Sequence, residues 1–292
     1  MAKYERLRTR LVSQAVVTLA ELHISPAADD ETLLTVHTAG YLDRLEAGRL
    51  SAAEQRRIGF PWSPQIVERS RRSVGGTVAA CRAALEAGLG INLAGGTHHA
   101  RPDHGAGFCV FNDAAVAIRR LQSEGRLHRA LILDCDVHQG DGSAAIFAGD
   151  SSVFTFSIHG ARNYPYHKVP GDLDIGLPDA AGDEDYLTAL GAGLWRALAQ
   201  ANPDLVVYLA GADPYLDDRL GRLALTKEGL ARRDRLVIEA CRHADLPLAI
   251  VMAGGYARQI NDTVDIHLNT IRLAVERHAR LPNTHASSAI DN

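Results

Sequence analysis

Between Ala130 and Gly142 an apolar run, Leu131-Ile132-Leu133, breaks off into Asp134, Asp136, His138 and Asp141. Alternate side chains of an extended chain point the same way. Asp134, Asp136 and His138 therefore share one face, and Cys135 takes the other. Charged groups at the mouth of a buried strand are costly unless paired or bound to a cation. Two carboxylates and an imidazole converging there are the donor set of a divalent metal with oxygen and nitrogen ligands. Taken alone, the run also fits an Asp- and Gly-rich surface loop or a helix N-terminus.

Three further apolar runs end in the same manner. Ile91–Ala94 leads into Gly95-Gly96-Thr97-His98-His99, Leu205–Leu209 into Ala210-Gly211-Ala212-Asp213, and Leu248–Met252 into Ala253-Gly254-Gly255-Tyr256. Sites in open parallel α/β sheets form at the carboxyl ends of the strands. Asp136, His138 and Asp213 would supply three protein ligands and leave positions open for water and substrate, as in a catalytic zinc site. Such an ion polarises a carbonyl and lowers the pKa of water. His98 and His99 can act as general base or acid, with Asp134 and Asp141 as the nearby carboxylates able to orient an imidazole. Tyr256, on a Gly-Gly turn, can donate its hydroxyl to a developing oxyanion. Together these parts describe metal-assisted hydrolysis of an amide.

The elements that must position these groups alternate along the chain. Helix-like periodicity covers about Tyr4–Glu21, Pro64–Gly88, Asn112–Gly125, Glu184–Ala201, Thr226–His243 and Asp262–Arg280. Strand-like runs cover about Leu33–Val36, Ile91–Ala94, Ala130–Asp136, Val153–Ile158, Leu205–Leu209 and Leu248–Ala253. The alternation predicts a parallel sheet with helices on both faces. Long Pro-, Gly- and Asp-rich stretches between them, at Gly59–Pro64, Arg101–Gly107, Gly160–Pro178 and Asp213–Gly221, suit a site built by loops. One domain is expected over 1–280, with a disordered tail over 281–292.

Bulk properties narrow the class. The 292 residues carry 31 Lys+Arg against 35 Asp+Glu, a formal charge of -4, which gives no global attraction to nucleic acid or to anionic membranes. No apolar run approaches the roughly 20 residues that span a bilayer, and the first residues lack the apolar core of a signal peptide. Cys81, Cys109, Cys135 and Cys241 have no CxxC spacing and read as reduced thiols, so a cytoplasmic enzyme is expected.

The segments GGTHHARPDHGAGFCVFND (Gly95–Asp113), LDCDVHQGDG (Leu133–Gly142), LAGADPYLDDRLG (Leu209–Gly221) and MAGGYAR (Met252–Arg258) resemble the histone deacetylase family. The resemblance runs from about Val36 to Leu273, and His-Gln-Gly together with IGFPWSP (Ile58–Pro64) makes it most similar to the class IV deacetylases and their bacterial relatives. It implies the arginase/deacetylase fold, a three-layer α/β/α arrangement around a mainly parallel sheet of about eight strands. Members begin with a strand and a His-Pro segment ahead of the first helix. This chain starts just after that segment, so the first strand is expected to be missing, with some loss of stability.

The resemblance also implies roles. Asp136, His138 and Asp213 match the ligands of a Zn2+ ion, for which Fe2+ is an alternative. His99 matches the main general base and acid and His98 an electrostatic helper, oriented by Asp141 and Asp134 respectively. Tyr256 matches the residue that polarises the acyl carbonyl. Gly107 and Phe108 match one wall of the channel for the acyl-lysine stem, and Tyr164 falls about where the opposite aromatic wall lies. A monovalent K+ or Na+ ion is implied near Asp134, Ser157 and the backbone at Asp136 and His138. The expected reaction is deacylation of acyl-lysine in proteins. The alternatives are an amidohydrolase of acetylpolyamines or small N-acyl metabolites, and a catalytically silent acyl-lysine or partner-binding module. Direct nucleic-acid and membrane partners are not expected, and the oligomeric state stays open. A two-metal ureohydrolase ranks below these, because DVHQGDG and GADPYLD lack the carboxylates of a second metal.

Overall fold

A computed structural model describes residues 2–279. In chain order the elements are α1 (Ala2–Ser13), a 3-10 turn (Leu19–Glu21), α2 (Asp30–Leu33), α3 (Ala39–Glu46), α4 (Ala52–Ile58), α5 (Pro64–Ala87), β1 (Leu89–Asn92), α6 (Asp113–Ser123), β2 (Ala130–Asp134) and α7 (Asp141–Ile146). There follow β3 (Val153–Gly160), β4 (Leu173–Leu177), α8 (Asp183–Ala201), β5 (Leu205–Leu209), α9 (Lys227–His243), β6 (Leu248–Val251) and α10 (Ile260–His278). The six strands form one sheet in the order β1-β6-β5-β2-β3-β4, and every pairing is parallel.

The central strands are apolar on both faces because helices cover both. Leu131, Leu133, Val206, Tyr208, Leu248 and Ile250 pack into one core with side chains of α1, α8, α9 and α10. Their neighbours Ala130, Ile132, Leu205, Val207, Ala249 and Val251 enter the other core, with α3, α5 and α6. This period-two division is what a parallel sheet buried on both sides requires. The helix starts are set locally. Ser63 caps α5 by accepting from the Ile66 N–H, with Pro64 in the first turn; Asn112 caps α6 and Thr226 caps α9 in the same manner.

Several boundaries depart from the sequence expectations. Leu33–Val36 is not a strand: Leu33 closes the short α2, whose cap Asp29 accepts from the Thr32 N–H at 2.8 Å, and a turn follows. The cap outweighs the strand propensity of a short apolar run. The first helix ends at Ser13 instead of Glu21, ahead of Ala15 in the left-handed region and the β-branched pair Val16-Val17. Strand β1 lies two residues earlier than expected, at Leu89–Asn92. β4 lies within the stretch read as the loop Gly160–Pro178; as an edge strand it buries little and carries a weak apolar signal. Among the described residues six strands stand where about eight were expected, with allowance for loss of the first. The proposed tail at 281–292 and the end of the last helix at Arg280 lie outside the described residues.

Candidate active site

Five neighbouring strands, β1, β6, β5, β2 and β3, point their carboxyl ends at one region, and four of the loops that follow meet there. The loop after β2 brings Asp136 and His138, the loop after β5 brings Asp213, the loop after β1 brings His98 and His99, and the loop after β6 brings Gly254, Gly255 and Tyr256.

Asp136, His138 and Asp213 each offer a ligand atom, all within 4.8 Å of one another. Asp136 Oδ1 accepts from His138 Nδ1 at 3.0 Å, and Oδ2 accepts from the Gly254 N–H at 2.8 Å. Asp213 Oδ1 accepts from the Val137 N–H at 2.9 Å, whereas Oδ2 is buried without a hydrogen-bond partner, 3.4 Å from His138 Nδ1. Burial and the charge of Asp136 push the Asp213 carboxyl up to about 7. Burial would raise Asp136 as well, but His98 and His138 hold it far below the usual carboxylate range. An orphaned carboxylate oxygen among two buried acids and an imidazole is a donor set short of positive charge, and a divalent cation fits it. Any side chain at Gly254 would collide with Asp213 Oδ2, so the close approach of the backbone is itself part of the cradle.

Beside this cluster stand two imidazole–carboxylate pairs. His98 Nδ1 lies 2.6 Å from Asp134 Oδ2, and His99 Nδ1 lies 2.7 Å from Asp141 Oδ1. The two Nε2 atoms face each other at 3.1 Å. With both Nδ1–H groups donating to carboxylates, that contact is attractive only if one Nε2 carries a proton. Burial disfavours charge on His98, but Asp134 and Asp136 outweigh it and raise its pKa to about 9. Burial and the charge of His98 lower His99 to about 4, against the opposing pull of Asp141. The carboxylates beside His98 thus favour it as the donor in this contact and His99 as the acceptor.

Gly107, Phe108, Tyr164 and Tyr256 are brought together over these histidines. The Phe108 ring centroid lies 5.8 Å from that of Tyr256, and the Tyr164 ring stands edge-on to His99 at 4.8 Å. Gly107 lies so close to His99 that a Cβ there would overlap its ring. Phe108 is held in the left-handed region at φ 63 and remains 41% exposed, an uncommon conformation for an aromatic residue and a feature of ligand-facing loops. Burial first, then neighbouring groups that include Asp213 and Asp136, raise the Tyr256 hydroxyl well above its usual pKa, so it stays protonated. Ser157 is the register partner of Asp134 on β3. Its hydroxyl lies 3.0 Å from His159 Nδ1, while the Asp134 oxygens are engaged by His98 and the Asp136 N–H.

Supporting residues escaped the sequence reading. Asp113 accepts from the N–H groups of Gly96 and Thr97 and so fixes the turn ahead of the histidine pair. Arg101 Nη2 reaches the second oxygen of Asp141 at 3.1 Å. The fully buried Arg233 donates to the Gly211 carbonyl at 2.5 Å, bracing the turn before Asp213, and Asp218 accepts from the Tyr256 N–H at 2.6 Å. Asp113 and Arg101 lie inside the GGTHH…FND segment, but only the fold reveals what they hold.

Fold and site together define a hydrolase of the parallel α/β class, with its centre on loops at the carboxyl edge of the sheet. The histone deacetylase domain matches residues 1–271, and the chain belongs to that family. It is 46% identical over 267 residues to an uncharacterized protein of Picosynechococcus sp., covering 91% of this chain and 89% of that one. It is 33% identical over 269 residues to the histone deacetylase-like amidohydrolase of Pseudomonas aeruginosa, covering 86% and 70%. The crystal structure of an HDAC homolog complexed with SAHA is similar with a TM-score of 0.80 at 26% identity, over 94% of this chain and 77% of that one.

Proposed function

We propose that the protein hydrolyses the amide bond of N-acylated amines, with acyl-lysine of proteins as the substrate, and that Asp136, His138 and Asp213 hold a zinc or ferrous ion. The observation that carries this reading is the meeting of two carboxylate-oriented histidines, Nε2 to Nε2, beside a cluster of metal donors that contains an orphaned carboxylate oxygen. Bound there, the dication supplies Lewis acidity that polarises the acyl carbonyl and acidifies water.

The chain's own groups do the rest. His99, neutral and oriented by Asp141, takes the proton of the attacking water at Nε2 and later gives it to the departing amine. His98, oriented by Asp134, stabilises the negative charge that develops on the carbonyl oxygen, and its contact with His99 Nε2 must give way to the water, because that nitrogen has a single lone pair. Tyr256 donates its hydroxyl to that oxygen. Gly107, Phe108 and Tyr164 form the walls that take the acyl-lysine stem and keep bulk water out. The same reading assigns a K+ or Na+ ion to the neighbourhood of Asp134 and Ser157, adjacent on β2 and β3. A silent binding module would have no use for the complete set of ligands, bases and phenol.

The test is release of acetate from an acetyl-lysine peptide by purified, metal-loaded protein, with loss on chelation and recovery on adding zinc or ferrous ion. A fully loaded protein that binds the peptide and releases no acetate refutes the enzymatic reading.

A further inference from the structure

The rim of the channel carries arginines that the catalytic reading does not use. The Arg69 guanidinium sits over the Phe60 ring at 5.8 Å, and Phe60 lies 5.2 Å from Phe108, the exposed wall. Arg69 lines a small hollow together with Phe60, Thr97 and Phe108. Arg219 Nε donates to the Tyr256 carbonyl at 3.0 Å. The carbonyls of Arg57 and Ile58 accept from the N–H groups of Gly107 and Phe108, so Arg57 sits on the segment paired with the channel wall. Arg101 and Arg57 are close enough to Tyr164 for their charges to favour its ionised form against burial.

The acids nearby are spoken for. Asp141 holds His99 and Arg101, Asp103 is 2.7 Å from His104, Asp217 is 3.1 Å from Arg258, and Asp218 accepts from the N–H groups of Leu220, Gly221 and Tyr256. Among the described residues, Arg57, Arg69 and Arg219 make no salt bridge, as is also true of surface arginines such as Arg8, Arg49, Arg129 and Arg235; what sets the three apart is their place beside Phe108, Tyr164 and Tyr256, with Arg57 also close enough to Asp103 to lower its pKa. In a chain of net charge -4, three guanidinium groups without a salt bridge therefore lie around its substrate entrance. Unpaired arginines beside an entrance raise the local concentration of anions and pair with carboxylates in fork geometry.

Resting on the amide-hydrolysis reading above, we propose that this entrance selects N-acylated amines whose remainder is anionic. The substrate is an acyl-lysine with carboxylates close to it, and polycationic amines such as acylpolyamines are disfavoured. An ammonium-rich chain would have to bring its charges past Arg57, Arg69 and Arg219 with no free acid to receive them, which is discrimination by repulsion as much as by attraction.

The test uses fluorescent peptides of equal length with one central acetyl-lysine flanked by Asp, Ser or Lys, bound to the purified full chain and followed by anisotropy. The Asp peptide should bind at least about tenfold more tightly than the Lys peptide at low salt, and the gap should shrink severalfold at high salt as screening shortens the reach of the arginines. Free Nε-acetyl-lysine and an acetylated polyamine, run as competitors, separate a small carboxylate from a peptide: either carboxylate source should displace the Asp probe better than the polyamine. Arg69→Gln and the charge-inverting Arg69→Glu should narrow the Asp:Lys ratio stepwise. Equal binding of the Asp and Lys peptides, a preference for Lys, or a ratio untouched by both Arg69 variants overturns the proposal. Because binding is read without turnover, absence of acetate release would refute amide hydrolysis and leave this ratio to decide the selectivity.

Discussion

Removing only the hydroxyl of Tyr256 isolates one element of the proposed chemistry. The ring lies 5.8 Å from Phe108 and under the Lys3 ammonium at 5.2 Å, and its backbone is held by Asp218 and Arg219. None of these contacts involves the hydroxyl oxygen, so Tyr256→Phe leaves the loop in place and should change stability by no more than about 0.5 kcal/mol. A phenol donor is worth most when the carbonyl oxygen becomes an oxyanion, and the raised pKa of Tyr256 keeps it protonated and able to donate. Loss of one such donor costs about 2.7–4 kcal/mol of transition-state stabilisation, which is a fall in kcat of roughly 10²–10³-fold. Metal content should not change, since Asp136, His138 and Asp213 are untouched, and a metal-chelating hydroxamate should lose far less affinity than kcat loses rate. All three quantities can be measured on one preparation of the Phe variant. A kcat within a few-fold of the parent would show that Tyr256 packs the channel and that another group stabilises the oxyanion.

Asp213→Ala should lose most bound metal by elemental analysis, together with activity; a full equivalent of metal and normal turnover would refute the ligand assignment. His99→Ala should keep its metal and lose activity by roughly 10²–10⁴-fold, with a smaller loss for His98→Ala; rates equal to the parent for His99→Ala would remove it as the base. His37 gives a stability prediction. It is buried, its Nε2 accepts from the Asn112 N–H, and burial lowers its pKa to about 4 from an unfolded value of about 6.5. Its folded-state pKa is depressed, so its contribution is complete above about 6.5 and is lost as pH falls toward about 4, amounting to about 3 kcal/mol over that window. Denaturant unfolding at several pH values should therefore show a shallower acid slope for His37→Gln than for the parent, and parallel slopes would refute the role.

The fold class was legible in the sequence because four apolar runs each needed burial and each ended in glycine and a polar group. A strand buried on both faces has few other ways to terminate. Helix starts were legible at Ser63, Asn112 and Thr226, where the cap is a local property of the side chain. What chain proximity could not decide was partnership. Asp134 and Asp141 both lie near His98 and His99 in any reading of the residues, and only the order of the strands sends Asp134 to one and Asp141 to the other. The difference between the two histidines likewise arises in three dimensions: they are adjacent in sequence and equally buried. The carboxylates around His98 favour it as the donor in their mutual contact and leave His99 as the acceptor. Asp213 is 75 residues or more from the other ligands, and its orphaned oxygen exists only because β5 lies beside β2. Residue type and local spacing name the chemistry available to the chain, whereas charge and orientation depend on neighbours that only the packed sheet supplies.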